Sequence, residues 1–239
     1  MSVALRFLLV SVGVAAALPV AAQMFSPGYG TYGAPMSSFL ASSYLVQGVG
    51  SGTVRSGGAK PSAKPKAAAA VRPADLAFDE ADEPIAPRKL AASYPSNLRG
   101  QTEQFFNQVL ESYRKLESMA GIPKHDLAGA LATFVAGNYT AMTGRAVPDE
   151  HFGPLRRQML ETLASVDEFR RADDAEKQEM YEQLAILGTY MALVQQGLKS
   201  KPDPALAAKT RDAARNYLQQ FMKVDPQRLE ITSTGLVIR

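Results

Sequence analysis

The sequence predicts an all-α protein: a single compact bundle of about five helices, two of them central and apolar, behind a disordered leader. Three observations carry that expectation. Past Tyr94, apolar residues recur at spacings of three and four through five successive segments. Proline, glycine and aspartate fall at the joints between segments, where helices stop and start. Residues 23 to 92, by contrast, are too poor in large apolar side chains to build a core.

The chain opens with Arg6, an apolar stretch FLLVSVGVAAALPV and the small-residue triplet VAA at 20 to 22, the pattern of a cleaved signal peptide. Cleavage is expected after Ala22. The apolar run is shorter than the roughly 20 residues a spanning helix needs, so no integral span is expected after cleavage. Residues 23 to 92 then read as a tether, Gly/Ser-rich, then Lys/Pro/Ala-rich, then acidic. Within it, SSFLASSYLVQ at 37 to 47 is less polar; it reads as an unstructured sticky patch or as a short piece that docks on the domain, a membrane surface or a partner.

The helical domain is expected over 93 to 239. Its first helix, about 96 to 119, carries Thr102, Phe106, Val109, Tyr113, Leu116 and Ala120 on one face, and Gly121 with Pro123 beyond it stops it. The second, about 126 to 143, has a large-residue face (Leu127, Leu131, Phe134, Asn138, Met142) and a small-residue face (Ala128, Ala132, Ala136 beside Gly129, Thr133, Gly137). Two packing faces mark a central helix. Because glycine inside a helix costs up to ~1 kcal/mol against alanine, Gly129 and Gly137 are expected to admit a neighbouring backbone.

The third helix follows Pro148, with carboxylates in its first turn and Phe152, Leu155, Met159, Leu163 and Val166 on one side. The fourth, about 174 to 199 and capped by Asp173 or Asp174, carries the stripe Met180, Leu184, Leu187, Met191, Val194 and Leu198 and should face the second. The last runs from about Asp203 to Lys223. After it, LEITSTGLVIR suggests two extended pieces about Thr234-Gly235, a hairpin that must pack on the helices to survive.

Charge and composition narrow the function classes. Net charge is +3, but residues 23 to 92 hold seven Lys/Arg against five Asp/Glu and residues 93 to 239 hold eighteen against eighteen. A neutral domain lacks the basic footprint of a nucleic-acid binder. There is no cysteine, which excludes disulfides and thiolate metal sites. No Gly-rich phosphate loop or nucleophile motif is present, and no cofactor is implied.

Five polar residues fall on helices expected to be buried: Asn138 and Tyr139 on the second, Glu182, Gln183 and Tyr190 on the fourth. They read as an inter-helix hydrogen-bond network or as a small polar pocket, the place where bundles hold ligands. His125 and Asp126 read as caps of the second helix, since Pro123 blocks an earlier start, and Gly121 as the C-cap of the first. His125 and His151 with Asp126, Asp149 and Glu150 show no metal-ligand spacing, so no metal is expected. Glu111 and Glu117, each followed by serine, are expected on a solvated face rather than in a saccharide cleft.

The stretches YPSNLR (94 to 99), GIPKHDLAGALATFVAGNY, VPDEHFGPLRRQM (147 to 159), YEQLAILGTYMALVQQ (181 to 196) and NYLQQFMKVDPQRLEITSTGLVI resemble an uncharacterised bacterial family of exported proteins, domain of unknown function 6683, over about residues 91 to 238. The resemblance implies an exported helical domain and supplies no activity. The expected role is a periplasmic or secreted, non-enzymatic interaction module with an unknown protein partner in the cell envelope. The other reading is a small-ligand binder or hydrolase using a polar pocket between the two central helices.

Overall fold

A computed structural model of the protein describes residues 76–239. The expected signal peptide and the patch at 37 to 47 lie outside the described residues. Seven helices run in order: α1 (Ala86–Ala91), α2 (Ser96–Ala120), α3 (Leu127–Thr143), α4 (Asp149–Ala164), α5 (Asp167–Arg171), α6 (Asp174–Ser200) and α7 (Pro204–Met222). A 3₁₀ turn at Pro226–Arg228 leads to β1 (Leu229–Thr232) and β2 (Gly235–Ile238). The five long helices are those the periodicity predicts.

Their ends follow from local chemistry. The α2 helix stops at Gly121, whose φ of +66° is left-handed and lets Ile122 N–H reach back to the Glu117 carbonyl. Asp126 starts α3 by accepting from Gly129 N–H at 2.9 Å. Asp173 and Glu176 form a reciprocal capping box at α6, and Asp203 caps α7 through Leu206 N–H.

The α3 and α6 helices form the centre, their contact the most extensive in the fold; α2 lies on α6, while α4 and α7 flank α3. Gly137 and Gly188 set how closely the pair approaches. A Cβ on Gly137 would stand 2.1 Å from the Gly188 carbonyl oxygen, and one on Gly188 would stand 2.5 Å from Phe134 Cα. Gly129, expected to admit a helix, instead makes room for its own cap: a Cβ there would meet Asp126 Oδ2 at 2.7 Å. On α7, Tyr217 and Phe221 meet Phe134 of α3 at ring distances of 6.3 and 5.3 Å.

The C-terminal strands pair antiparallel, Leu229 opposite Ile238 and Thr232 opposite Gly235. A two-stranded ribbon this short is marginal alone. It is held to α4 by one amide: Gln158 Nε2 donates to the Leu236 carbonyl at 2.9 Å, and Leu236 N–H donates to Gln158 Oε1 at 2.7 Å. Leu229, Ile231 and Leu236 are buried beneath.

The domain starts earlier than composition suggests. Residues 76 to 92 were expected in the tether, yet Leu76, Phe78, Ala86 and Leu90 are buried in the core. A few apolar anchors suffice because α6 supplies the polar partners that this segment lacks. Gln178 Oε1 accepts from Ala81 N–H at 2.8 Å, and Glu182 Oε2 accepts from Ile85 and Ala86 N–H, each at 2.7 Å.

Candidate functional site

The last turns of α2 place Tyr113 and Glu117 four residues apart, hence on the same face. That face is the buried one. Glu117 is only 3% exposed, so the expected solvated position is corrected; Glu111, one turn and a half earlier, is indeed exposed. The stripe Phe106, Val109, Tyr113 continues geometrically through either Leu116 or Glu117, and the structure buries Glu117 and leaves Leu116 half-buried.

Glu117 is surrounded by aromatic rings. The Tyr181 hydroxyl of α6 donates to Glu117 Oε2 at 2.7 Å. The Tyr181 ring meets Tyr113 edge-on at 5.8 Å and His125 at 5.9 Å, and Phe78 stacks on His125 at 5.4 Å. His125 Nε2 lies 2.7 Å from Glu80 Oε2, and Glu80 also pairs with Arg114.

Glu117 Oε1 and the Tyr113 hydroxyl, both buried, have no close partner besides each other, and the Asp126 backbone N–H also favours the Glu117 carboxylate. Burial pushes the Glu117 carboxyl up to about 7, an effect only partly offset by the hydroxyls beside it. Burial likewise raises both tyrosines, and the neighbouring Glu117 adds to it. Near neutral pH Glu117 can therefore donate as well as accept, while neither phenol yields a base.

Tyr113 and Glu117 also line a cleft of about 320 Å³ between α2, α3, α6 and the start of α4, open to solvent where Ala120, Ala146 and Lys199 are exposed. Its walls are mostly apolar: Leu116 and Ile122 on one side, Ala136 and Gly137 on α3, Val147 and Phe152 beyond. The glycine and alanine face of α3, which the sequence reading assigned to packing, thus packs α6 with part of its width and leaves the rest as cavity wall. Lys199 is the cation among the lining residues. A space of this size with few convergent polar groups and a carboxyl of shifted pKa is the usual form of a small-molecule site, at the low end of the ~300–1,000 Å³ range.

A family model described as a family of unknown function, DUF6683, matches residues 49–239. The chain belongs to that family. The match begins at residue 49 rather than near 91, so it takes in all of the described segment that packs ahead of α2. No curated protein and no solved structure matches the chain.

In this DUF6683 domain none of the five polar residues singled out from the sequence lines the cavity. Glu182 is fully buried and sealed: besides the two N–H groups of the α1 start, its Oε1 accepts from Gln178 Nε2 at 2.8 Å. Gln183 donates to Glu179 at 3.0 Å. Asn138 donates to the Phe134 carbonyl of its own helix at 2.8 Å. Tyr139 is buried, and Tyr190 meets Phe105 edge-on at 5.9 Å.

Of the three expected caps, Asp126 and Gly121 hold helix ends as described, and Asp126 also pairs with Arg156 of α4. His125 does not cap; it takes a left-handed φ of +58° and turns its ring to Phe78, Tyr181 and Glu80. His151 sits in the first turn of α4, apart from that cluster in the chain. Among the described residues no group of three or more His, Asp or Glu could hold a metal ion, and no helix is long and apolar enough to cross a membrane.

Sequence reasoning missed Tyr113 and Glu117 as a pair because a glutamate beside a serine late in a helix looks solvated. The available signal was spacing: Glu117 falls four residues after Tyr113 and eight after Val109, on the line of the apolar stripe.

Proposed function

We propose that the protein is an exported, non-enzymatic helical module that binds a small, largely apolar molecule in the cavity beside Tyr113 and Glu117. The observation that carries this is the space itself, about 320 Å³ between three helices and lined mostly by apolar side chains. The reading as a binder rather than a hydrolase draws on the raised phenols and on His125 being engaged by Glu80: no base, nucleophile and orienting group converge there.

The test is a titration with N-phenyl-1-naphthylamine, a neutral dye that brightens in apolar sites. Wild-type protein is expected to bind about one dye per chain, saturably. Ala136→Phe, which projects a ring into the space, is expected to abolish the signal while leaving the melting temperature equal or higher, because it fills a void. Emission that never saturates, or that survives the Phe substitution, sinks the reading.

Export and the envelope setting rest on the N-terminal pattern, with the tether giving the domain reach toward a protein partner in the periplasm or outside the cell. The full gene expressed in a bacterium should yield a chain in the osmotic-shock fluid whose intact mass begins at Gln23. A recovered mass that still includes Met1 to Ala22 refutes cleavage there.

A further inference from the structure

We propose that the cleft is occupied by the chain's own leader: residues 37 to 47, SSFLASSYLVQ, dock in it intramolecularly, so that a bound molecule must displace them. This rests on the binding reading above and adds what governs access to the site.

The mouth of the cleft is the first argument. Its walls at Leu116, Ile122, Val147 and Phe152 are half-buried rather than sealed, and Ala120 and Ala146 at the rim are exposed. Met119, next to Ala120 in the last turn of α2, is 67% exposed, the large apolar side chain that stands out in solvent among the described residues. Apolar surface gathered at one cleft, rather than scattered singly, marks a contact site.

Charge selects the occupant. Glu117 and Lys199 are the lining residues of acidic or basic type, the first buried and the second at the rim; the rest of the wall is uncharged. Residues 23 to 54 contain no Asp, Glu, Lys or Arg, whereas residues 55 to 92 hold all the charges of the leader. An uncharged segment enters an apolar cleft without the desolvation cost of an ion. Within 23 to 54 the large apolar side chains are densest at Phe39, Leu40, Tyr44, Leu45 and Val46. A peptide main chain laid there also needs polar partners, and Thr140 and Gln195, half-buried at the wall, supply a hydroxyl and an amide.

Reach is the third argument. The described residues begin at Leu76, and Phe78 stacks on His125 in the turn between α2 and α3. Ile122 of the same turn lines the cleft. Phe78 also packs on Tyr181 at 5.5 Å, and Tyr181 bonds Glu117 at the cleft wall. The leader therefore joins the domain beside the cleft. Residues 48 to 75 are a link of 28 residues. A coil of that length averages about 30 Å end to end, roughly the diameter of a small domain. Such a tether gives an effective concentration on the order of 1 mM, so an affinity of about 0.1 mM for the free segment keeps the cleft about nine-tenths occupied.

The experiment titrates N-phenyl-1-naphthylamine into the mature full chain and into the same chain carrying Phe39→Ser, Leu40→Ser, Tyr44→Ser and Leu45→Ser. The substituted chain is expected to bind dye about tenfold more tightly, and a synthetic peptide of residues 37 to 47 is expected to displace that dye at about 0.1 mM. A second readout needs no dye. The chain has no cysteine, so Tyr44→Cys combined with Ala120→Cys reports contact by disulfide formation. That pair should close within one chain at least about tenfold faster than Tyr44→Cys with Gln220→Cys, because Gln220 is exposed on α7, away from the cleft lining. Equal dye affinity in the two chains, or closure no faster to position 120 than to position 220, overturns the docking and leaves the small-molecule reading standing. Disulfides formed chiefly between two chains overturn it in favour of docking on a second copy. Dye that binds neither chain while the pair at 44 and 120 still closes fast refutes the small-molecule reading and keeps the docking.

Discussion

Replacing Gly188 by alanine is expected to destabilise the protein by about 3 kcal/mol or more, among the largest effects of any single substitution in the chain. The added methyl would lie 2.5 Å from Phe134 N and Cα, and backbone cannot step aside as a flexible side chain can. Relief requires α3 and α6 to separate, which loosens the most extensive contact in the fold. Gly137→Ala should behave alike, since its methyl meets the Gly188 carbonyl. Gly100 provides the control: it is exposed in α2 with nothing within 4 Å, and alanine there should gain up to ~1 kcal/mol through helix propensity. Urea denaturation of the three variants decides the matter. A Gly188→Ala midpoint equal to wild type would mean that the central pair is not packed as described.

Glu182→Ala is expected to cost about 3 kcal/mol and to free the segment ahead of α2. The carboxylate accepts from Ile85 and Ala86 N–H and from Gln178, so its loss leaves two backbone donors without their partner, while the Gln178 amide keeps the Glu83 carbonyl at 3.2 Å. The segment then keeps its apolar anchors Leu76, Phe78 and Leu90, the Ala81 N–H bond to Gln178 and the Glu80 pairs, but loses the bonds that fix the start of α1. Trypsin reports this directly, because Arg88 and Lys89 are exposed within α1 and are protected by that helix being formed. Faster cleavage at these two sites, with the five long helices still resistant, is the expected result. Unchanged cleavage would show that apolar anchors suffice and that the buried carboxylate contributes little.

These two residues also show where the sequence was readable. Glycines inside α3 announced a close approach, and Gly137 makes it, but Gly129 on the neighbouring turn only makes room for Asp126. Both positions look alike in a sequence, since each is a glycine among alanines and threonines. What separates them is the partner: Gly188 stands opposite one, and the capping carboxylate stands beside the other. Glu182 was likewise recognised as a polar group on a buried helix, hence in need of partners. Its partners come from about 96 residues earlier, in a segment whose composition resembles a tether.

The five long helices, their approximate boundaries and most of the caps were determined by the sequence alone, because the apolar period, Gly121, Asp173 and Asp203 act within a few residues of themselves; the short α1 and α5 were not. The tertiary structure alone decided that residues 76 to 92 join the fold, that Glu117 rather than Leu116 completes the buried face of α2, and that the small-residue side of α3 leaves a cavity where α6 does not cover it. The physical reason is range. Periodicity specifies which residues share a face, but a residue at the edge of that face is buried or solvated according to which helix lies over it. For Glu117 that neighbour is α6, whose Tyr181 arrives 64 residues later in the chain and takes one carboxylate oxygen.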